Sequence, residues 1–179
     1  HIGINVAASH FRNAVLIQDL NRLWFSANPR QQLVIELTER DALLDADYRI
    51  VRELHRKGVK LAIDDFGTGN SSLSWLEKLH PDVLKIDQSF TTAIGTDAVN
   101  STVTDMIIAL GQRLNIELVA EGVETEEQAR YLRRHGVPVL QGFFYARPMP
   151  LRDFPDWLAG SAPPPARHNG HIVPLMPLR

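Results

Sequence analysis

The 179 residues predict an α/β protein, a parallel sheet covered by helices, and two observations carry that expectation. Short apolar runs alternate in strict order with stretches of helical spacing. The runs are also too continuously apolar to be half-solvated, which is the pattern of parallel strands buried on both faces. Two architectures remain open at this level, a β/α barrel and an open doubly wound sheet.

Taken in order, Ile2 to Val6 is the first predicted strand, and it opens the chain with no leading loop and no initiator methionine. The chain is therefore expected to be a piece of something longer. Leu33 to Leu37 is the second strand, and the helix after it ends on Arg56, Lys57 and Gly58, cations toward the negative helix end with glycine beyond. Leu61 to Ile63 and Val83 to Ile86 are the third and fourth. Before the fifth, Leu118 to Ala120, the residues Val99, Val103, Met106, Ile107, Leu110 and Leu114 fall on one helical face. Thr125 followed by Glu126, Glu127 and Gln128 is a capping box, and that helix closes on Arg133, Arg134, His135 and Gly136. Val139 to Phe143 is the sixth strand. From Gly160 the chain carries Pro163, Pro164, Pro165, Pro174 and Pro177 without apolar periodicity, so residues 1–159 read as the domain and 160–179 as a largely disordered tail.

Composition narrows the chemistry. With 19 basic against 21 acidic side chains, net −2, nothing attracts nucleic acid or an anionic bilayer in bulk, so an anionic ligand must be met locally. There is no cysteine, hence no thiolate metal site, and metal chemistry falls to oxygen or histidine. No apolar run approaches the roughly 18 residues of a membrane span, and the expected location is cytoplasmic.

The polar residues lie where the apolar runs end. Val34, Glu36 and Thr38 share one face of their strand while Ile35 and Leu37 share the other. Asn5, Asp64 and Asp65, Lys85 and Asp87, Glu121 and Gln141 stand at the corresponding ends of the other five strands. In a β/α barrel those ends converge on one mouth, the usual seat of the active site. Several carboxylates gathered there repel one another unless cations compensate, and Lys85 alone cannot neutralise four or five of them. Hard divalent cations such as Mg²⁺ or Mn²⁺ suit such oxygen ligands. A pair of them bridged by a carboxylate, for which Asp64 and Asp65 are placed, is a recurrent solution for phosphodiester hydrolysis. The competing readings are plain ones: Asp64 and Asp65 as helix caps, Lys85 as the structural partner of Asp87 or another carboxylate, and Asn5 and Gln141 as amides satisfying loop backbone. His10, His55, His80 and His135 show no ligand spacing and read as structural or surface residues.

Seven short motifs in register then resemble the EAL domain family: Ile-Asn-Val-Ala-Ala-Ser at Asn5, Glu-Leu-Thr-Glu at Glu36–Glu39, Asp-Asp-Phe-Gly-Thr-Gly at Asp64–Gly69, Lys-Ile-Asp at Lys85–Asp87, Glu-Gly-Val-Glu at Glu121–Glu124, Gln141-Gly142, and Arg147-Pro148-Met149-Pro150. The resemblance implies an eight-stranded TIM-type barrel, of which about six strands are present here. It implies hydrolysis of cyclic di-GMP to linear pGpG with two Mg²⁺ or Mn²⁺ ions. Asn5, Glu36 and Asp64 would hold one ion, and Asp64 would bridge to a second held by Asp65 and assisted by Glu121. Lys85 would touch the attacking water or the phosphate, Gln141 would line the site, and Glu124 would support it. Glu39 would brace the loop after Asp65 that couples the site to a homodimer interface, and Pro148 and Met149 would support substrate. The Glu-Ala-Leu tripeptide that names the family is absent, and a fragment lacking it would fold and act poorly. A non-catalytic cyclic di-GMP receptor or protein-interaction module is the alternative.

Overall fold

The computed structural model describes residues 1–11, 15–27, 31–38, 48–69, 73–96 and 99–160. Six strands are present: β1 Ile2–Asn5, β2 Leu33–Thr38, β3 Lys60–Phe66, β4 Val83–Ile86, β5 Glu117–Ala120 and β6 Val139–Leu140. The helices are α1 Ala8–Phe11, α2 Val15–Leu23, α3 Tyr48–Arg56, α4 Leu73–Leu79, α5 Gln88–Thr92, α6 Val99–Leu114, α7 Glu126–Arg134 and α8 Phe154–Gly160. None of them is long and apolar enough to cross a membrane. The expected tail lies, from residue 161, outside the described residues, as does Glu39.

All neighbouring strands pair in parallel, and their spatial order is the chain order, β1 to β6. That order decides between the two architectures. A doubly wound sheet reverses direction at a switch point, whereas an unreversed series of right-handed crossovers lays every helix on the same face. The packing agrees. Outward-facing Ile35, Leu37, Leu61, Ile63, Leu84, Ile86 and Leu118 join helix residues such as Ile17, Leu20, Leu54, Leu79, Ile107 and Leu132 in one cluster. The opposite face contributes a separate cluster made of strand residues alone, Val34, Ala62, Val83 and Val119, with Val139 against it. The sheet is thus a curled part-barrel, helices outside and a valine-rich lining inside. Each fully buried Leu or Ile on the outer face adds on the order of 1.5–3 kcal/mol, so contact with the helix layer is a main source of the sheet's stability.

The helix ends follow the sequence closely. Gly58 (φ 77°) and Gly136 (φ 83°) close α3 and α7 with the same pair of bonds, from Gly58 and Val59 N–H to the His55 and Leu54 carbonyls, and from Gly136 and Val137 N–H to those of Arg133 and Leu132. Thr125 and Gln128 form the reciprocal capping box at the start of α7. The face of α6 is rotated from expectation. Met106 is 66% exposed and Leu114 also faces out, while Thr104, Ile107, Ile108 and Gly111 form the buried line. Thr104 can turn inward because its hydroxyl donates to the Phe90 carbonyl at 3.0 Å. Gly111 turns inward because a Cβ there would lie 2.4 Å from Leu118. β6 is shorter than predicted, but Gln141 N–H still donates to the Ala120 carbonyl at 2.8 Å and extends the ladder one residue.

Candidate active site

Strand register staggers the inward side chains, so that a tier around the barrel axis steps from rung to rung: Asn5 pairs with Glu36, Glu36 with Ala62, Ala62 with Val83 and Val83 with Glu117. Gly3 lies level with Val34, and Asn5 with Glu36. Val83 lies level with Ala62 and Glu117, and Lys85 with Val119. At the N-terminal end of this inner face Lys60 and Glu117 form an ion pair at 3.3 Å, one charge against one. Val34, Ala62, Val83, Val119 and Val139 form the apolar middle. The C-terminal tier holds Asn5, Glu36, Asp64, Lys85, Glu121 and Gln141, as predicted. A cavity of about 270 Å³ runs over the inner face, floored by those valines and walled by Glu36, Lys85, Gln141, Tyr145 and Trp157.

Lys85 is the centre of the tier. It is 7% exposed, and its Nζ lies 2.8 Å from Glu36 Oε2, 3.0 Å from Asp64 Oδ1 and 2.7 Å from Glu121 Oε1. An ammonium has three protons, and each has an acceptor here. Burial pulls the Lys85 ammonium toward neutrality, but hydrogen bonds to Glu121, Glu36 and Asp64 together outweigh it and raise its pKa above that of an ordinary lysine. Asp87 takes no part in this cluster: its carboxylate caps α5 by accepting from Ser89 N–H at 2.9 Å.

Two adjacent aspartates on a regular strand would point to opposite faces. The chain avoids this with an irregularity in the pairing of β3 with β4 between Ile63 and Phe66, and with Asp65 in the left-handed region at φ 54°. As a result Asp64, Asp65 and Glu121 each offer a carboxylate oxygen within 4.8 Å of the others. The Glu121 carboxyl is pushed up, by burial first and then by Asp64 and Glu36, although Lys85 opposes the shift. Lys85 and Glu121 thus move in the same direction because one ammonium is shared among three acids. The tier is short of positive charge, and oxygen donors so close together fit a divalent cation.

The remaining predicted residues are placed as follows. Asn5 stands at the sheet edge beside Glu36, and Val6 N–H donates to the Glu36 carbonyl at 3.0 Å. Gln141 is on the cavity wall. Glu124 is exposed, outside the three-carboxylate group, with its N–H donating to Gln128 Oε1 at 2.8 Å. Pro148 and Met149 follow in the loop after β6, beyond the cavity wall. Sequence reasoning missed Gly3, whose absent side chain borders Glu36. A glycine inside a strand is itself a signal of close approach.

The sequence profile of the EAL domain family matches residues 1–148. The Escherichia coli protein called "Probable cyclic di-GMP phosphodiesterase PdeD" is 82% identical over all 179 residues, which cover 34% of its length. The chain therefore spans about a third of that relative. Among solved structures, the EAL domain of Mycobacterium smegmatis DcpA superposes with a TM-score of 0.82 at 35% identity, over 90% of this chain and 74% of that one. A manganese and cyclic di-GMP complex of Klebsiella pneumoniae BlrP1 gives 0.74 at 32% identity, over 82% and 38%, and a calcium complex of the same protein also matches.

Proposed function

The chain belongs to the EAL domain family, and from that premise we propose that it carries the site at which its protein hydrolyses cyclic di-GMP to linear pGpG with two Mg²⁺ or Mn²⁺ ions. One observation supports this above the others. The inner face is balanced one to one at the Lys60–Glu117 end, while at the other end Glu36, Asp64 and Glu121 share a single ammonium and Asp65 brings a fourth carboxylate up against Asp64 and Glu121. Four acids held that way need further positive charge, and a phosphodiester brings none.

In this reading Asn5, Glu36 and Asp64 would hold one ion, and Asp65 and Glu121 together with Asp64 the other. When bound, the ions would supply the missing positive charge and Lewis acidity toward the phosphate. Lys85, whose ammonium stands among Glu36, Asp64 and Glu121, is the cation that the chain itself brings to a phosphate oxygen at this end of the inner face. Glu121 stands between Lys85 and the two aspartates and would serve on the side of the second ion. Gln141 orients groups at the wall, and Glu124 steadies the β5–α7 loop. Pro148 and Met149 shape the substrate side. We also assign the domain to residues 1–159, because Trp157 of α8 reaches the cavity wall beyond the matched residues. A homodimer through the loop and helix after Asp65 and a cytoplasmic location belong to the same proposal.

The test is a chimera in which these 179 residues replace the matching stretch of Escherichia coli PdeD. It is incubated with cyclic di-GMP and Mg²⁺ or Mn²⁺, and pGpG is followed by chromatography. Turnover that Asp64→Asn and Lys85→Ala abolish is expected. A folded chimera that binds the dinucleotide but leaves it intact with both metals would make the protein a receptor.

A further inference from the structure

Gly3 occupies the inner face of β1, level with Val34 and one tier below the Asn5–Glu36 rung. It is not among the glycines with positive φ, so conformational freedom does not explain it. In a strand a glycine is less favourable than alanine, because it loses more conformational freedom on folding. What it provides is room: a Cβ on Gly3 would lie 2.1 Å from Glu36 Oε1 and 3.1 Å from Glu36 Cδ. The Glu36 carboxylate therefore folds back over Gly3, into the tier beneath its own.

That position sets Glu36 apart from the other acids. Asp64, Asp65 and Glu121 offer oxygens within 4.8 Å of one another, and Glu36 is outside that group. It is tied to the group through Lys85, at 2.8 Å. We propose that Gly3 is a positioning residue, a notch that stores the Glu36 carboxylate on Lys85 while the site holds no cation and releases it toward Asn5 and Asp64 when one enters. On release Lys85 gives up one of its three acceptors and Glu36 exchanges an ammonium for a divalent ion. The inference rests on reading Glu36 as a cation ligand.

Gly3→Ala fills the notch. If Glu36 spends about nine-tenths of its time stored, removing the stored state tightens cation binding about tenfold, since apparent affinity scales with the competent fraction. The experiment titrates Mn²⁺ into the chimera with Escherichia coli PdeD described above, reading free Mn²⁺ by electron paramagnetic resonance, for its unsubstituted form taken as wild type, Gly3→Ala, Glu36→Gln and the double variant. Melting in EDTA is recorded in parallel. Gly3→Ala should bind Mn²⁺ about tenfold more tightly and melt lower in EDTA, and neither change should persist beside Glu36→Gln. Weaker or unchanged Mn²⁺ binding in Gly3→Ala overturns the proposal, as does an effect that survives in the double variant. Wild type that binds no Mn²⁺ overturns the metal-site reading itself, which separates the two failures. For the case in which Gly3→Ala does not fold, carboxyl ¹³C signals of wild type labelled at glutamate give the answer. The Glu36 resonance must move on adding Mg²⁺, and a stationary one rejects the stored state.

Discussion

Removing the Lys85 amine is the most informative perturbation of this molecule. In Lys85→Ala the cation-free protein loses three charge-assisted hydrogen bonds, to Glu36, Asp64 and Glu121. At about 1.5–3 kcal/mol each the gross loss is roughly 5–9 kcal/mol. Two effects reduce it. The ammonium no longer has to be buried, and a stranded acid can take up a proton at about 1.4 kcal/mol per pH unit above its own pKa. From an ordinary glutamate value near 4.3 to pH 7, that route limits the penalty to about 3–4 kcal/mol. For a domain of this size each kcal/mol moves the melting temperature by about 2–4 °C, so a drop of about 6–16 °C at pH 7 in EDTA is expected. The sign of the pH dependence follows. In the variant Glu121, already raised by burial, loses the ammonium that opposes the shift, so the penalty is present above its folded value and fades as pH falls, to about 1 kcal/mol near pH 5. In wild type the raised Lys85 contributes in full below the unfolded lysine value and loses its contribution only as pH rises through its folded one. Mg²⁺ or Mn²⁺ should restore part of the variant's loss. Calorimetry at pH 5 and 7, with and without cation, measures all four conditions. A loss independent of both pH and cation would refute the charge-deficit reasoning.

Three further outcomes follow from single residues. Asp65 sits at φ 54°, which asparagine tolerates and alanine does not, so Asp65→Ala should be less stable than Asp65→Asn by about 1 kcal/mol in chemical denaturation, while both lose Mn²⁺ affinity. Asp82 accepts from Leu61 N–H at 2.8 Å and lies 3.2 Å from His55 Nε2, an approach lacking the alignment of a full hydrogen bond. Burial pushes the Asp82 carboxyl up, but His55, Leu61 N–H and Lys60 together leave it lowered. Its contribution is present above the unfolded aspartate value and disappears as pH falls through the folded one, so Asp82→Asn should lower the melting temperature at pH 7 and converge with wild type as the pH is taken down through the acid range. Thr104→Val leaves the Phe90 carbonyl without this donor inside the α5–α6 interface and should cost about 1–3 kcal/mol, read by urea denaturation.

The strands were legible because short apolar runs alternate with helical stretches, two of which end on stop signals at Gly58 and Gly136. The choice of a barrel over a doubly wound sheet was not available from the apolar pattern alone. It came from the family resemblance, and the strand order and the helix-free inner cluster now supply the physical reason. The α6 face was misread because hydrophobicity was counted where fit decides: Thr104 and Gly111 turn inward for a hydrogen bond and a close approach, and Met106 is left outside. At the site, alternation put Glu36, Lys85 and Glu121 at strand ends, and the three side chains meet there. It could not show how Asp64 and Asp65 both reach one place, since that depends on a positive φ at a residue that is not glycine. Nor could it show that Lys85 bonds three acids rather than Asp87, because partners so far apart in the chain meet only once the sheet has curled.

Spatial order that copies chain order also imposes a timetable. A chain emerging from its first residue can pair β1 with β2 and β2 with β3 before β4 exists, which brings Glu36 and Asp64 together ahead of the ammonium that balances them. Lys85 arrives with the fourth strand and Glu121 only after the fifth. For that interval the nascent sheet is an electrostatically unfinished object, and the counter-charge it lacks is what the surrounding solution offers as free divalent ions.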